Sequence, residues 1–221
     1  MTENLAADVL ICGAGAAGLT LAIDLARRGM SFRLIDKMDG PFRGSRGKGI
    51  QPRTLEISED LGIIDRIVAV GGLYPPQREY RADGSFTESA VVEHVASTPA
   101  EPYRIPLMVP QFLTERVMRE RLVEFGHRPE FGCELVGLDQ DRDGVTARLA
   151  SKAGEEVIRA RYLVGADGGR SFVRHALDLT EQANGQIASR MAAAVVAALE
   201  RAPSNGQALE RGGRRSQSEL Q

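Results

Sequence analysis

The run Val9-Leu10-Ile11-Cys12-Gly13-Ala14-Gly15-Ala16-Ala17-Gly18-Leu19 decides the fold of this chain. Asp8 to Cys12 is a short apolar stretch stopped by glycine, the pattern of a strand buried on both faces. After the glycines, Leu19, Leu21, Ile23, Leu25 and Ala26 lie among good helix formers. Arg27-Arg28-Gly29 then supplies the basic residues and glycine that close a helix. Phe32-Arg33-Leu34-Ile35-Asp36 reads as a second strand. Strand, helix and strand within about thirty residues form a βαβ unit, which requires parallel strands and a right-handed crossover.

The spacing Gly13-x-Gly15-x-x-Gly18 is common by chance in a chain with 24 glycines. Its context raises it: the motif leaves a strand, opens a helix and sits in a unit whose second strand ends on a carboxylate, Asp36. Gly13 permits the tight turn, Gly15 lets the backbone approach a pyrophosphate, and Gly18 allows close helix–strand packing. The N–H groups at the helix start, around Ala16 and Ala17, then face the phosphates with the positive end of the helix dipole. Asp36 is placed to accept hydrogen bonds from adenosine ribose hydroxyls, with Lys37 beside it. The competing reading is a glycine-rich turn with no ligand; the conjunction of motif, strand, helix and carboxylate favours a dinucleotide.

Outward from that unit, Gly40 to Gly49 is a glycine-rich loop carrying Arg43, Arg46 and Lys48. Pro52 suits the first turn of a helix through Leu55, Ile57 and Leu61 that ends near Gly62. Ile63 to Val70 predicts a second short helix. Arg78–Arg81 and Ser85–Thr87 flank Ala82-Asp83-Gly84, a hairpin pattern. The segment through Pro99, Pro102, Pro106 and Pro110 is expected to be irregular or extended. Gln111 to Phe125 returns to helix, with Phe112, Val117, Leu122 and Phe125 as its expected apolar face. From Glu134 the period becomes two, and Leu135–Leu138, Val145–Leu149 and Val157–Val164 predict a three-stranded meander. The last strand of the meander runs into Gly165-Ala166-Asp167-Gly168-Gly169-Arg170-Ser171, and the meander is expected to interrupt the parallel sheet before the final strand. A short helix over Phe172–Leu177 follows. Ile187, Met191, Val195 and Leu199 recur every four residues, the pattern of an amphipathic helix, and residues beyond Pro203 read as disordered.

Composition narrows the function classes. The 221 residues carry 28 basic and 30 acidic side chains, a formal charge of −2, which gives no footprint for nucleic acid. The longest uncharged stretch, Val9–Ile23, falls short of the roughly 20 apolar residues of a membrane span. It also lacks the basic n-region of a secretory signal. Two cysteines, Cys12 and Cys133, cannot build a disulfide framework or a zinc cluster, and a cytoplasmic setting is expected. Cys12 reads as core. His94, His127 and His175 show no metal-ligand spacing, so no metal is expected. All seven Phe and four Tyr lie at or before Phe172. The segment after Thr180 is therefore expected to add little to a core.

Four ordered stretches carry a resemblance to a known family: the Val9–Leu19 run; Ser45-Arg46-Gly47-Lys48-Gly49-Ile50-Gln51-Pro52-Arg53-Thr54-Leu55-Glu56; Val109-Pro110-Gln111 with Glu115-Arg116; and Gly165–Ser171. Together they cover about residues 7 to 178. The chain resembles the FAD-dependent class A aromatic monooxygenases of the para-hydroxybenzoate hydroxylase type, in the branch acting on phenols and polyketide aromatics. The fold class this implies is α/β, an FAD/NAD(P)-binding Rossmann-like parallel sheet with a three-stranded antiparallel meander. Domains are expected at 1–179, an FAD-binding domain, and 180–221, a helical or disordered tail.

The resemblance implies FAD as cofactor, NADPH or NADH as reductant, and a small aromatic or polyketide substrate. By the same resemblance Asp36 holds the adenosine ribose, and Arg46 neutralises the pyrophosphate with its bidentate guanidinium. Gln111 bonds along the ribityl and phosphate region, and Asp167 touches FAD and takes part in engaging NADPH. Plainer readings stand beside these: Arg46 as a solvated charge, Gln111 as a helix cap, Asp167 as a turn residue. No residue is assigned as catalytic acid or base, since the redox chemistry belongs to the flavin. The family continues past the Asp-Gly motif into a substrate-binding sheet and a strand ending in Gly-Asp, and this sequence has no Gly-Asp dipeptide. The C-terminal substrate region is thus expected to be lacking, the chain truncated and its activity doubtful. The alternatives are a non-catalytic FAD- or ADP-binding module, a component completed by a homo-oligomer or complementing chain, and a plain NAD-dependent reductase. The last needs a Tyr-x-x-x-Lys pair, which none of the tyrosines forms.

Overall fold

In the computed structural model the decisive run folds as β1, Ala7–Cys12, and α1, Ala16–Arg27, followed by β2, Phe32–Asp36. The structure describes residues 6–44, 47–93 and 95–179. Arg46, His94 and the helix expected around Ile187–Leu199 lie outside these residues. The chain continues through β3 (Gly49–Ile50), α2 (Pro52–Asp60), α3 (Ile64–Val70), the hairpin β4 (Gln77–Tyr80) and β5 (Phe86–Ser89), β6 (Leu107–Met108) and α4 (Gln111–Glu124). It closes with β7 (Glu130–Phe131), β8 (Cys133–Gln140), β9 (Val145–Ser151), β10 (Gly154–Gly165) and α5 (Phe172–Ala176).

Six strands form one mixed sheet in the order β7-β2-β1-β10-β9-β8. The βαβ expectation holds: β1 runs parallel to β2, with Cys12 opposite Ile35, and parallel on its other side to β10, with Cys12 opposite Gly165. The meander is present, but it does not interrupt the parallel sheet. Its last strand is itself the fourth parallel strand, after β1, β2 and β7: Gly154–Ala160 of β10 pairs antiparallel with β9, and Ala160–Gly165 pairs parallel with β1. One long strand thus joins both halves of the sheet, and a bulge between Leu135 and Gly137 bends the outer strand β8.

The alternation of each strand decides which layer it serves. Ile11 lies opposite Leu34, and the Leu34 side chain reaches the α1 side, 3.4 Å from where a Gly18 Cβ would stand. Leu10, Cys12 and Ile35 point the other way. There they cluster with Cys133, Leu135, Ala147, Leu149, Ile158 and Val173. Leu10, Ile11, Leu19 and Ile23 are all fully enclosed, and each contributes about 1.5–3 kcal/mol by burial.

On α4 the inward residues are Glu115, Val117, Met118 and Leu122. Phe112, expected on the apolar face, is exposed instead, because the inward stripe falls one position round, on Glu115 and Met118. Two short pairings escaped the sequence reading: β2 with β7, and β3 with β6. Arg33 supports the first with a fork to both Glu130 oxygens, at 2.9 and 2.6 Å, and reaches Glu156 on β10 at 2.8 Å. His127 packs against Phe32 with ring centroids 4.5 Å apart. No helix among the described residues is long and apolar enough to cross a membrane.

Candidate functional site

A cavity of about 610 Å³ opens where the carboxyl ends of β1, β2 and β10 meet the start of α1. Open α/β sheets hold ligands at this place, outside the strand ends where connections leave in opposite directions. Gly13, Gly15, Ala16, Ala17, Asp36, Lys37, Gln111 and Asp167 all line it. Gly18 does not, and Arg46 lies outside the described residues.

The glycine loop owes its shape to close backbone approach. Gly13 has φ +109°, and a Cβ there would stand 2.3 Å from the Ala166 carbonyl oxygen, so the ends of β1 and β10 can converge only on glycine. Gly18 turns its bare face to the loop itself: a Cβ would lie 1.9 Å from the Gly13 carbonyl oxygen. Gly15 differs, since a Cβ there would meet only Glu115 Oε1, at 3.7 Å. That open side is the approach to the first turn of α1. Gly15 is its N-cap and supplies no side-chain acceptor, so the first-turn N–H groups have no intrahelical partner. Donors and dipole together make an anion seat.

Asp36 is held by two backbone donors. Ala14 N donates to Oδ2 at 2.8 Å, and Met38 N donates to Oδ1 at 2.9 Å. The carboxylate therefore ties the glycine loop to the end of β2, and each oxygen keeps a further lone pair at the lining of the cavity. Lys37 is exposed and stands 3.9 Å from Glu134 Oε1. Asp167 accepts from Ser171 Oγ at 2.5 Å and from Val173 N at 3.2 Å. This carboxylate holds the entry to α5, so the turn-residue reading describes part of its work. Beside it, Gly168 and Gly169 would meet nothing within 4 Å if given a Cβ, which leaves a bare backbone edge on the cavity.

Gln111 is not a helix cap, since Pro110 occupies that position. Its Nε2 donates to Glu115 Oε1 at 2.7 Å. Glu115 is only 2% exposed and stands 3.9 Å from Arg119 Nη1 as an ion pair. Arg119 Nη1 is buried without a hydrogen-bond partner, and burial pulls the guanidinium pKa down. The sequence reading quoted Glu115 within a motif but gave it no role; a carboxylate four residues after Gln111 was the available signal. Arg170, Glu134, Phe131 and Phe172 also line the cavity without having been singled out. Cys12 lies at the cavity floor. Burial first, then the charge of Asp167 and the neighbouring Cys133, push its thiol up to about 12, so it is an inert core thiol.

These features fit an adenine dinucleotide. The cavity has ordinary ligand size, a helix N-terminus without a competing cap, a bare glycine approach and a fixed carboxylate at the end of β2.

Comparison with known proteins agrees. The family model described as an FAD binding domain matches residues 6–209. A flavin-dependent monooxygenase of Mycobacteroides abscessus is 44% identical over 173 residues, covering 76% of this chain and 36% of that protein. The 6-methylpretetramide 4-monooxygenase of Streptomyces rimosus is 38% identical, covering 78% of this chain and 30% of that protein. Among solved structures, the flavin-dependent monooxygenase PieE in complex with FAD and substrate matches with a TM-score of 0.67 and 32% identity, covering 78% of this chain and 32% of that one. The chain thus spans about a third of the length of these relatives.

Proposed function

The chain belongs to the FAD binding domain family, and from that membership we propose that it serves an FAD-dependent, NAD(P)H-consuming monooxygenase that hydroxylates an aromatic or polyketide substrate. One observation carries the reading: the glycine loop, Asp36, Gln111 and Asp167, far apart in sequence, converge on a single cavity at the start of α1. In this reading residues 1–179 are the FAD-binding domain and 180–221 a tail.

In this reading each cofactor-binding residue has its own role. The N–H groups at the start of α1 hold the pyrophosphate, with Arg46 as the neutralising cation. Asp36 accepts from the adenosine ribose while keeping Ala14 N and Met38 N bonded. Lys37 sits at the exposed rim of the adenosine end. Gln111 addresses the ribityl and phosphate region, and the bare Gly168–Gly169 edge beside Asp167 lets the cofactor and reduced nicotinamide come close. When bound, FAD supplies the redox chemistry, passing electrons from NAD(P)H to oxygen so that one oxygen atom enters the substrate. Two free, buried cysteines suit a reducing cytoplasm.

A second reading has its own support in the span of about a third of the relatives. In it this chain is an FAD- or ADP-binding unit without turnover of its own, or a component acting as a homo-oligomer or with a complementing chain. Purification in the presence of FAD tests both. A flavin that coelutes with the protein, with NADPH oxidation stimulated by a phenol, supports the first reading. Coelution without stimulated oxidation supports the second. Absence of any FAD or ADP binding refutes both.

A further inference from the structure

The buried carboxylate on α4 has no part in the roles above, yet it sits beside the bare face of Gly15 and against Gln111. We propose that Glu115 is a positioning residue for the cofactor seat: it fixes the orientation of the Gln111 side-chain amide, and Arg119 compensates its charge. The proposal rests on the FAD reading and deepens it.

A carboxylate only accepts hydrogen bonds, so the amide of Gln111 must turn Nε2 toward it. The 2.7 Å contact to Glu115 Oε1 meets that requirement. Gln111 lines the cavity, so the choice of which amide atom faces Glu115 also decides which one is turned away from it. Sequence position favours this arrangement, since residues four apart on one helix face each other. The carboxylate is 2% exposed, and a buried charge needs a partner. Arg119, four residues further along the same face, supplies one at 3.9 Å, at the expense of a buried Nη1 left without a hydrogen-bond acceptor. Stability alone does not require that arrangement, because an apolar pair of similar volume is commonly as stable as a buried ion pair. The alternative, that Glu115 acts on the cofactor by charge alone, has the opposite sign. A carboxylate near the phosphate seat repels phosphate, and its removal would tighten binding.

The test is a mutant cycle on the full chain, read by the FAD dissociation constant from flavin fluorescence, with thermal melts as control. Four proteins are compared: wild type, Gln111→Ala, the apolar pair Glu115→Met with Arg119→Met, and the triple combination. Gln111→Ala and the apolar pair should each weaken FAD binding about tenfold, and the triple should be no weaker than either, because both act through one amide. Losses that multiply in the triple, or an apolar pair that binds like wild type or more tightly, overturn the proposal. Should the pair melt too low to handle, Glu115→Gln replaces it. A neutral amide offers Gln111 either an oxygen or an NH₂, so the fixed orientation is lost and binding should weaken about threefold; unchanged or tighter binding overturns the proposal. Wild type that binds no FAD overturns the cofactor reading itself, whereas wild type that binds with Glu115 indifferent overturns only the positioning role.

Discussion

Replacing Asp36 separates two tasks, the shaping of the glycine loop seen in the structure and the proposed receipt of a ribose. The Asp36 oxygens accept from Ala14 N at 2.8 Å and Met38 N at 2.9 Å. The two donors are not equivalent. Ala14 is 4% exposed, so its N–H is largely shielded from water if the carboxylate is lost, whereas Met38 is 53% exposed and readily rehydrated. Asp36→Ala orphans the buried donor and forfeits a charge-assisted bond, an expected loss of roughly 2–4 kcal/mol. Asp36→Asn keeps one oxygen, which the amide will turn toward Ala14 N, leaving its NH₂ beside the exposed Met38 N. The expected loss is about 1–2 kcal/mol. For a chain of this size each kcal/mol moves Tm by about 2–4 °C, so Asp36→Ala should melt roughly 4–16 °C low and Asp36→Asn roughly 2–8 °C low. Urea unfolding and thermal melts without ligand measure this. ADP titration then measures the ribose task, where Asp36→Ala should raise Kd about tenfold, or 1.4 kcal/mol. An Asp36→Ala protein within about 0.5 kcal/mol of wild type, or an Asn variant no better than Ala, would refute the two-donor account.

Four further outcomes follow from the same structure. Gly18→Ala drives a Cβ to 1.9 Å from the Gly13 carbonyl oxygen and should lower stability by about 1–3 kcal/mol. Gly15→Ala meets only Glu115 Oε1 at 3.7 Å and should keep its Tm within about 2 °C while weakening FAD binding, which paired melts and titrations will separate. The Cys12 thiol ionises near 9.0 when unfolded but is pushed up to about 12 in the fold, chiefly by burial. Stability present below pH 9 is therefore lost as pH rises toward 12, with a slope approaching about 1.4 kcal/mol per pH unit, and Cys12→Ala should flatten that limb in alkaline urea titrations. Asp141, bonded by Arg159 at 2.6 Å, is held down to about 2, so its contribution is present above its usual value of 3.8 and lost as pH falls through 2. Arg159→Gln should return the Asp141 titration toward the ordinary carboxylate range in an NMR pH series.

The sequence alone determined the βαβ unit, the glycine turn, the carboxylate at the end of β2 and the meander. These depend on near neighbours along the chain: a period of two or 3.6, a stop signal, a residue free to take positive φ. Gly13 and Asp36 were legible for that reason, and so was the strand that carries Asp167. The tertiary structure decided the rest, where partners come from distant segments. Nothing in the spacing of β10 shows that its first half pairs with β9 and its second with β1; that follows only when a long strand finds two neighbours. Phe112 was assigned to the core by a pattern that could not place the inward stripe of α4. The packing of α4 against α1 placed it, turning Glu115 inward beside Gly15. The pairing of β1 with β2 likewise makes Asp36, read from sequence as a ribose acceptor, the clasp that also holds Ala14 and Met38. A side chain's chemistry is written in its type, but its burial and partners arise from which surfaces the fold brings together.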